Sequence, residues 1–382
     1  MTGHIRKRSG KSGASWQITL DKGVDTQGKR QREYITVNGT KKEAQATLTE
    51  KISQFNRGTY IEPSQLTVED CIHQWMKVYA VPRLAPSTIN GYKVNFEKHT
   101  IPYIGNVKLQ QLTPVQIQDM FTLLADKGLK PRTIKYVHTT LREALQYAYK
   151  MRMVPQNVAD FVSPPKQEKF KASVYTEEEA IQLLQHASGT DMDIPLHLAL
   201  GLGLRRGELL ALYWKDIDFQ NKIVTICRNL VCINKEFRFD NPKTESGNRT
   251  ILLSQSLLEK LKKHKIAQAE NQLFLGQEYE NNDLICCRPD GKPYHTGSFS
   301  HKFSQFLKKN GLRHIRLHDL RHTNATLMMK YGVHAKIASE RLGHSNIAIT
   351  LDTYSHVSPE MQTDATNKLE SGIFDKLDQK IV

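Results

Sequence analysis

The N-terminal segment of the chain alternates between apolar and polar positions. The stretch SWQITLDKGVDTQGKRQREYITV, residues 15–37, is rich in Trp, Ile, Thr, Tyr and Val, and Gly and Asp stand where turns would separate strands. Residues 41–56 change to helical spacing. Ala44, Leu48 and Ile52 recur every four residues there, as they would on one face of a helix. These patterns predict a small antiparallel sheet followed by a helix.

Residues 65–165 show helical periodicity over successive segments. Helix-start signals stand at Thr67, Ser87, Thr113 and Arg132, the last directly after Pro131. Gly105 and Gly128 stand where two of these helices would stop. The segments predict a compact α-helical bundle.

A change of composition separates this bundle from the rest of the chain. The stretch SPPKQEKFKASV, residues 163–174, holds two prolines and little apolar content, so residues 166–173 are predicted to be an extended linker. Thr176 and Glu179 follow with the spacing of a capping box at the start of a new helix. We therefore expect three domains, at residues 1–60, 65–165 and 174–358.

The third domain mixes helical and strand patterns. IPLHLALGLGLRRGELLALYW is helical with a glycine interruption, KIVTICRNLVCINKEFRF and NRTILL alternate as strands, and helical spacing returns from His301. The fold class expected for the chain is multidomain α+β. It combines a small N-terminal β-sheet plus helix, an α-helical bundle, and a mostly α third domain with a small antiparallel sheet.

Residues 359–382 carry apolar side chains at the spacing of one helix face. These are Leu369, Ile373, Phe374, Leu377 and Ile381. They predict an amphipathic tail helix that packs on its own domain or on a neighbouring subunit.

Composition adds an expectation about compartment and partner. Hydrophobic residues make up 39% of the chain, and no run approaches the roughly 20 apolar residues of a membrane span, so a cytoplasmic protein without membrane contact is expected. The formal net charge is +15, and residues 1–60 hold 12 Lys and Arg against 5 Asp and Glu. This excess favours a polyanionic partner such as DNA, although a solvated basic surface would show the same charge.

The candidates for DNA contact are basic or aromatic side chains on the predicted elements. On the sheet they are Trp16, Lys29, Arg30 and Arg32, and on the bundle they are Lys93, Arg132 and Lys135. A sheet face with interleaved basic residues can enter a groove of DNA. For the bundle residues, a plain solvated helix face is the alternative.

The five cysteines argue against a metal site. They are Cys71, Cys227, Cys232, Cys286 and Cys287. Their number is odd, and none falls in the C-x-x-C or Cys/His spacings of zinc sites. We expect reduced thiols and no bound metal.

Six side chains are candidates for catalysis. They are Arg205, Lys243, His318, Arg321, His344 and Tyr354. Taken singly, each has an ordinary explanation: an arginine paired with a carboxylate such as Glu208, histidines on a solvated face or capping a turn, a lysine in a hairpin, a half-buried tyrosine. Taken together, they suit metal-free phosphoryl transfer. Guanidinium groups bind phosphate oxygens, a histidine exchanges protons near neutral pH, and a tyrosine hydroxyl can form a covalent ester.

The order of these residues resembles that of the tyrosine recombinases, the lambda-type integrases. The motifs are G-L-R-R-G-E at residues 203–208, P-K-T with Lys243, H-x-x-R at residues 318–321, L-G-H at residues 342–344, and a tyrosine ten residues after that histidine. The resemblance of this catalytic domain spans about residues 174–357. Each motif alone is weak, but the ordered set is very specific.

The resemblance implies how the phosphate would be attacked. Tyr354 would be the nucleophile that forms a 3′-phosphotyrosyl link and releases a 5′-hydroxyl. Arg205, Arg321 and His344 would hold the non-bridging oxygens and stabilise charge in the transition state.

The resemblance also implies how protons would move. Lys243 would protonate the leaving 5′-oxygen, and His318 would assist proton removal from the tyrosine. Because the covalent link conserves the energy of the phosphodiester, neither ATP nor a metal nor another cofactor is expected.

The flanking domains resemble parts of the same family. Residues 65–165 look like its SAM-like core-binding domain, and residues 1–60 look like its arm-site DNA-binding domain. The implied function is integration and excision of a prophage or integrative conjugative element by a homotetramer on two DNA duplexes, with an accessory DNA-bending or excision factor as a further partner. A metal-independent DNA topoisomerase and a non-catalytic DNA-binding regulator remain the alternatives.

Overall fold

The structure of the chain is a computed structural model that describes most of its length. The described residues are 2–8, 15–24, 28–57, 60–167, 173–233, 236–240, 247–354, 366–367 and 369–370, and only the backbone of residues 349 and 352–354 is described. The chain divides into two compact units, residues 1–168 and 169–382. The three predicted domain ranges stay predictions.

The first unit begins with a three-stranded antiparallel sheet and a helix. Its elements are β1 (Thr2–Arg8), β2 (Ser15–Val24), β3 (Arg30–Asn38) and α1 (Lys41–Asn56), with strand order β1-β2-β3. The predicted sheet and the predicted helix are confirmed. Strand β1 was not predicted, because TGHIRKR contains one large apolar residue and reads as a basic tail.

Close packing joins this sheet to α1. Ile18 and Leu20 of β2 are fully buried and form a small core with Leu48 of α1. A Cβ atom on Gly3 would lie 2.5 Å from Leu48 Cδ1, so glycine lets the edge strand approach the helix.

The rest of the first unit is helical. It contains α2 (Val68–Trp75), a π-helical turn (Met76–Ala80), α3 (Val81–Arg83), α4 (Pro86–His99), α5 (Ile101–Ile104), α6 (Pro114–Asp126) and α7 (Pro131–Lys150). Thr67 and Thr113 cap α2 and α6 with reciprocal capping boxes, as predicted. The predicted starts at Ser87 and Arg132 are wrong by a residue, because the prolines before them occupy the first helical positions.

Residues 60–64 are bonded at both ends within this unit. Tyr60 donates its hydroxyl to Glu33 on β3, and Lys22 pairs with Glu33 at 2.8 Å and with Glu62 at 2.6 Å. On the bundle side, Gln110 Nε2 donates to the carbonyl oxygen of Glu62 at 2.7 Å. This segment is therefore held to both the sheet and the bundle.

The second unit combines helices with two small sheets. Its first elements are α8 (Glu177–Ala187), α9 (Asp193–Leu202), α10 (Arg206–Leu210), β4 (Ile217–Asp218), β5 (Ile223–Ile226), β6 (Asn229–Ile233), β7 (Glu236–Asp240) and β8 (Arg249–Leu252). Helices α11 (Gln255–Leu275), α12 (Thr296–Lys309), α13 (Asp319–Lys330), α14 (Ala335–Leu342) and α15 (Ile347–Tyr354) follow. The sheets are β4-β5-β8 and the hairpin β6-β7, all antiparallel.

Most predictions for this unit are confirmed. Thr176 and Glu179 form the predicted capping box of α8, and Gly203 interrupts the helical segment at the end of α9. The α+β class, helix-rich with small antiparallel sheets, is confirmed. Helix α11 was not predicted, because its buried side chains Leu257, Leu258 and Leu261 lie near its start and its remainder lacks an apolar face.

Two further findings concern the chain as a whole. No helix among the described residues is long and apolar enough to cross a membrane. The predicted tail helix at 359–382 lies outside the described residues except for 366–367 and 369–370, which are helical.

Candidate active site

Arg205 stands where one helix ends and the next begins. α9 stops at Leu202, Gly203 adopts a left-handed conformation with φ 63°, and Arg205 immediately precedes α10. A Cβ atom on Gly203 would lie 2.3 Å from Leu342 Cδ2 and 2.8 Å from Asn324 Oδ1. Glycine therefore permits both the turn and the close approach of the end of α14.

Three arginines from different parts of the second unit donate to three successive backbone carbonyls at the end of α14. The contacts are Arg249 Nε to the oxygen of Arg341 at 2.8 Å, Arg321 Nη2 to that of Leu342 at 2.5 Å, and Arg205 Nη2 to that of Gly343 at 2.7 Å. The last carbonyls of a helix have no partner within it, and they form the negative end of its dipole. We call Arg205, Arg249 and Arg321 the arginine clamp.

Glu208 links two members of the arginine clamp. Its carboxylate, whose side chain is 4% exposed, receives Arg205 Nη1 at 2.6 Å and Arg249 Nη2 at 2.8 Å. Burial by itself would raise the pKa of Glu208, but the hydrogen bonds and charge of Arg249 and the charge of Arg205 lower it below its usual value. A buried carboxylate shared by two guanidinium groups stays ionised and holds both in place.

His344 follows the glycine that ends α14. Gly343 is left-handed with φ 67°, a conformation common for glycine directly after a helix. His344 Nδ1 lies 2.8 Å from Thr350 Oγ1, and Thr350 is fully buried in α15. Burial, followed by the charges of Arg321 and Arg205, lowers the pKa of His344 to about 4. The imidazole is therefore neutral at neutral pH.

His318 occupies the N-cap position of α13, one residue before the helix begins. His318 is exposed, and the ring of His322 packs edge-on against it at 5.0 Å between ring centroids. Partial burial of the imidazole, followed by the charges of His322 and Arg321, lowers the pKa of His318 to about 4.

The described residues bring four of the six predicted catalytic residues into one region. Arg205 and Arg321 hold the turn that carries His344, and Arg321 acts electrostatically on both His344 and His318. Tyr354 is the last residue of α15, one turn beyond Thr350, and its side chain is not described. Lys243 lies in residues 241–246, outside the described residues.

Some residues of this region were missed by the sequence analysis. Arg249 was not a candidate, although it stands two residues before the buried Ile251 on a strand and so faces the same side. Glu208 was considered only as an ordinary partner of Arg205. Thr350 and His322 gave no signal, because their contacts form only in the folded chain.

The predicted DNA contacts on the sheet do not share one face. Arg30 and Arg32 lie on its exposed face, within 3.9 and 3.6 Å of Asp21. Trp16 pairs in register with Val37 and so lies on the opposite face, which packs on α1. Lys29 is exposed just before β3. The structure does not group Trp16 with the arginines.

Strand β1 adds two basic residues, Arg6 and Arg8, to the exposed face. Arg6 pairs in register with Gln17, which in turn faces Thr36, so Arg6 shares a face with Arg32 and the exposed Tyr34. Lys7 pairs with Trp16 and points to the other face. Some β-sheet proteins place their strands in a groove of DNA, and a basic face would suit that contact.

The predicted contacts on the bundle are all exposed. Lys93 lies on α4, 3.9 Å from Glu97, and Arg132 and Lys135 lie near the start of α7. Within the part of the chain that the structure describes, no group of three or more His, Cys, Asp or Glu side chains could hold a metal ion.

Family comparisons agree with this region. Residues 173–361 match the phage integrase family, and residues 67–124 match the N-terminal SAM-like domain of phage integrases. The chain belongs to the phage integrase family. Its enzyme class is the tyrosine-type site-specific DNA recombinase.

Relatives extend over most of the chain. It is 29% identical over 379 residues to a tyrosine recombinase XerC-like protein of Caldanaerobacter subterraneus, with 93% of this chain and 95% of the relative covered. It is 28% identical over 287 residues to the ICEBs1 integrase of Bacillus subtilis, with 75% and 78% covered.

Solved structures share the fold. The Tn1549 transposon integrase in complex with a circular intermediate DNA matches 80% of this chain and 99% of that chain, with a TM-score of 0.68 and 19% identity. A lambda integrase dimer bound to a COC′ core site matches 92% of this chain and 96% of that chain, with a TM-score of 0.59 and 20% identity.

Proposed function

We propose that this chain integrates and excises a mobile genetic element by cutting and rejoining double-stranded DNA through a 3′-phosphotyrosyl intermediate. The observation that carries the proposal is the arginine clamp, in which Arg205 and Arg321 hold the turn that carries His344 and leads into α15, the helix that ends at Tyr354. The relatives named ICEBs1 integrase and Tn1549 transposon integrase support the mobile-element context.

A phosphodiester anion suits the charge of this region. Glu208 pairs with both Arg205 and Arg249, so these two guanidinium groups carry one more positive charge than the carboxylate offsets. Arg205 has a side chain that is 37% exposed, whereas that of Arg249 is 7% exposed. Arg205 therefore presents its guanidinium to a ligand, and with Arg321 it would stabilise charge that develops on the non-bridging oxygens.

In the proposed step the hydroxyl oxygen of Tyr354 attacks phosphorus and the bond from phosphorus to the 5′-oxygen breaks. His318, whose lowered pKa leaves it neutral, would accept the tyrosine proton. Lys243 would give a proton to the leaving 5′-oxygen, as the family motif implies. One phosphoester replaces another, so rejoining is the reverse reaction with a new 5′-hydroxyl and needs no ATP.

The assembly follows from the same proposal. The basic face of the N-terminal sheet would bind arm sites and the bundle would bind the core site, with a homotetramer joining two duplexes in the cytoplasm. An accessory DNA-bending or excision factor would set the direction of the reaction. The tail at 359–382 would dock on the adjacent subunit, so a chain ending after Val357 should bind DNA as single subunits without assembling further.

The test is covalent trapping on nicked duplexes. Overlapping duplexes that span both ends of the element encoding the chain would be incubated with the full chain in EDTA, beside the Tyr354→Phe variant. We expect a denaturation-resistant adduct for the natural chain and none for the variant. Binding without an adduct on any duplex would favour a non-catalytic regulator, and relaxation of supercoiled DNA without strand exchange would favour a topoisomerase.

A further inference from the structure

Arg249 has the contacts of a residue that positions others. Its Nε donates to the carbonyl oxygen of Arg341 at 2.8 Å, its Nη1 and Nη2 reach the two carboxylate oxygens of Glu208 at 3.2 and 2.8 Å, and its Nη1 also lies 3.3 Å from the carbonyl oxygen of Gly247. All of these acceptors are protein groups, and the side chain is 7% exposed. Arg249 is thus turned towards the interior of the site rather than towards a ligand.

The shared carboxylate transmits this placement to Arg205. Glu208 Oε1 receives Nη1 of Arg205 at 2.6 Å and Nη1 of Arg249 at 3.2 Å. Glu208 Oε2 also accepts the backbone N–H of Arg205 at 3.0 Å, so without Arg249 the carboxylate would be held by Arg205 alone, in a closed ion pair. Because Arg249 occupies one edge of the carboxylate, Arg205 keeps its Nη2 on the carbonyl of Gly343 and stays partly exposed.

The second contact of Arg249 reaches the turn of His344. The carbonyl of Arg341 is two residues before Gly343, and Arg249 is the clamp arginine that holds it. One side chain therefore fixes both the carboxylate behind Arg205 and the helix end before His344.

We propose that Arg249 is a positioning residue for DNA strand cleavage, acting on Arg205 through Glu208 and on the His344 turn through the carbonyl of Arg341. The proposal rests on the proposed function. In this proposal Arg249 does not contact DNA. Its replacement should therefore lower the rate of cleavage and leave the affinity for DNA nearly unchanged.

The experiment compares Arg249→Lys and Arg249→Met with a matched control, Arg313→Lys, in the full chain. Arg313 also binds both oxygens of a carboxylate, that of Glu179 at 2.6 Å each, and a backbone carbonyl, that of Val174 at 2.6 Å. None of its contacts belongs to the arginine clamp. For each variant we would measure thermal unfolding, Kd for the duplex that traps the natural chain, and the single-turnover rate of adduct formation in EDTA.

We expect Arg249→Met to form the adduct roughly a hundredfold more slowly, because a small misplacement of phosphate-binding groups has a cost of that order. Arg249→Lys keeps the charge but lacks the planar fork, and we expect a loss of about tenfold. In both variants Kd should change less than about threefold, since the phosphate-binding arginines remain. Arg313→Lys should cleave at the natural rate.

A double variant tests the route through Glu208. Glu208 and Arg249 act through one contact. The rate of adduct formation in the double variant Glu208→Gln with Arg249→Met should therefore fall by less than the product of the decreases in the two single variants. Decreases in rate that multiply in the double variant would refute the action through Glu208. Folded Arg249 variants that cleave as fast as Arg313→Lys would refute it as well. A rate that falls only together with Kd and melting temperature would reduce Arg249 to a structural role, and if Arg249→Met fails to fold, Arg249→Lys decides.

The natural chain, run beside the variants, keeps the two proposals apart. No adduct from the natural chain on any duplex refutes the proposed function. An adduct from the natural chain and an equal one from both Arg249 variants refutes only the role of Arg249.

Discussion

His344 Nδ1 lies 2.8 Å from Oγ1 of Thr350, which is fully buried one helical turn before Tyr354. The contact joins the turn after α14 to the helix that carries the proposed nucleophile. It also leaves Nε2 of the imidazole as the nitrogen available to a ligand. The position of α15 and the orientation of His344 are therefore coupled.

Thr350→Val should slow cleavage without preventing folding. The change keeps the shape of the side chain and removes the hydroxyl, and the loss of one hydrogen bond of about 1 kcal/mol corresponds to a rate decrease of roughly fivefold. Thr350→Ser keeps the hydroxyl and should cleave close to the natural rate. The single-turnover rate of adduct formation is measured for both variants. Equal rates would show that the contact between His344 and Thr350 does not contribute to cleavage.

Gly203→Ala should destabilise the second unit. The residue is left-handed, and the added Cβ would lie 2.3 Å from Leu342 Cδ2, so strain and overpacking together should lower the free energy of unfolding by about 2 to 4 kcal/mol. Gly201→Ala is the matched control. Nothing lies within 4 Å of a Cβ there, and alanine suits a helix better, so this variant should be as stable as the natural chain or slightly more stable. Urea denaturation followed by circular dichroism distinguishes the two outcomes.

His344 should make stability dependent on pH in acid. Its pKa is about 4 in the folded chain against an ordinary value of 6.5. The unfolded chain therefore takes up the proton first, and the contribution of neutral His344 is present above about pH 6.5 and lost as the pH falls towards 4.

The measurement is an NMR titration of histidine-labelled protein. The imidazole of His344 should remain neutral at pH 5.5 in the free protein, with a midpoint near 4. Binding of a phosphodiester should raise that midpoint, because the anion offsets the charges of Arg321 and Arg205. A midpoint near 6.5 in the free protein would contradict the burial and charge described for this residue. His344→Asn assigns the signal.

The exposed face of the N-terminal sheet should be the one that binds DNA. Arg6→Ala should weaken binding to distal sites and reduce the dependence of log Kd on log salt concentration by about one phosphate contact. Lys7→Ala removes the same charge from the opposite face of the same strand, and should change the salt dependence less. Equal effects of both variants in a fluorescence titration would show that only net charge matters.

Local chemistry made part of the fold predictable. The capping boxes at Thr67, Thr113 and Thr176 involve residues three apart, so a short stretch of sequence contains the whole interaction. Strand β1 was not predicted because Ile5 is its one large apolar residue, so its seven residues show no alternation of apolar and polar positions, although its partner β2 is the next strand along the chain. Helix α11 was not predicted because much of it is exposed, and a helix without an apolar face shows no periodic pattern of apolar residues in the sequence.

The candidate site shows the same limit. Arg205, Arg321 and His344 could be predicted because they stand in motifs with fixed spacing, whereas Arg249 acquires its role from a carboxylate 41 residues away and a carbonyl 92 residues away. Trp16 is a different case. It stands two residues before the buried Ile18, so the alternation of the strand already places it on the core side.

The acceptors of the arginine clamp are backbone oxygens. A substitution at Arg341 leaves its carbonyl where it is, whereas one residue inserted or deleted between Arg341 and His344 would shift the row of acceptors relative to all three guanidinium groups. As related chains diverge, this turn should therefore tolerate changes of side chain and resist changes of length.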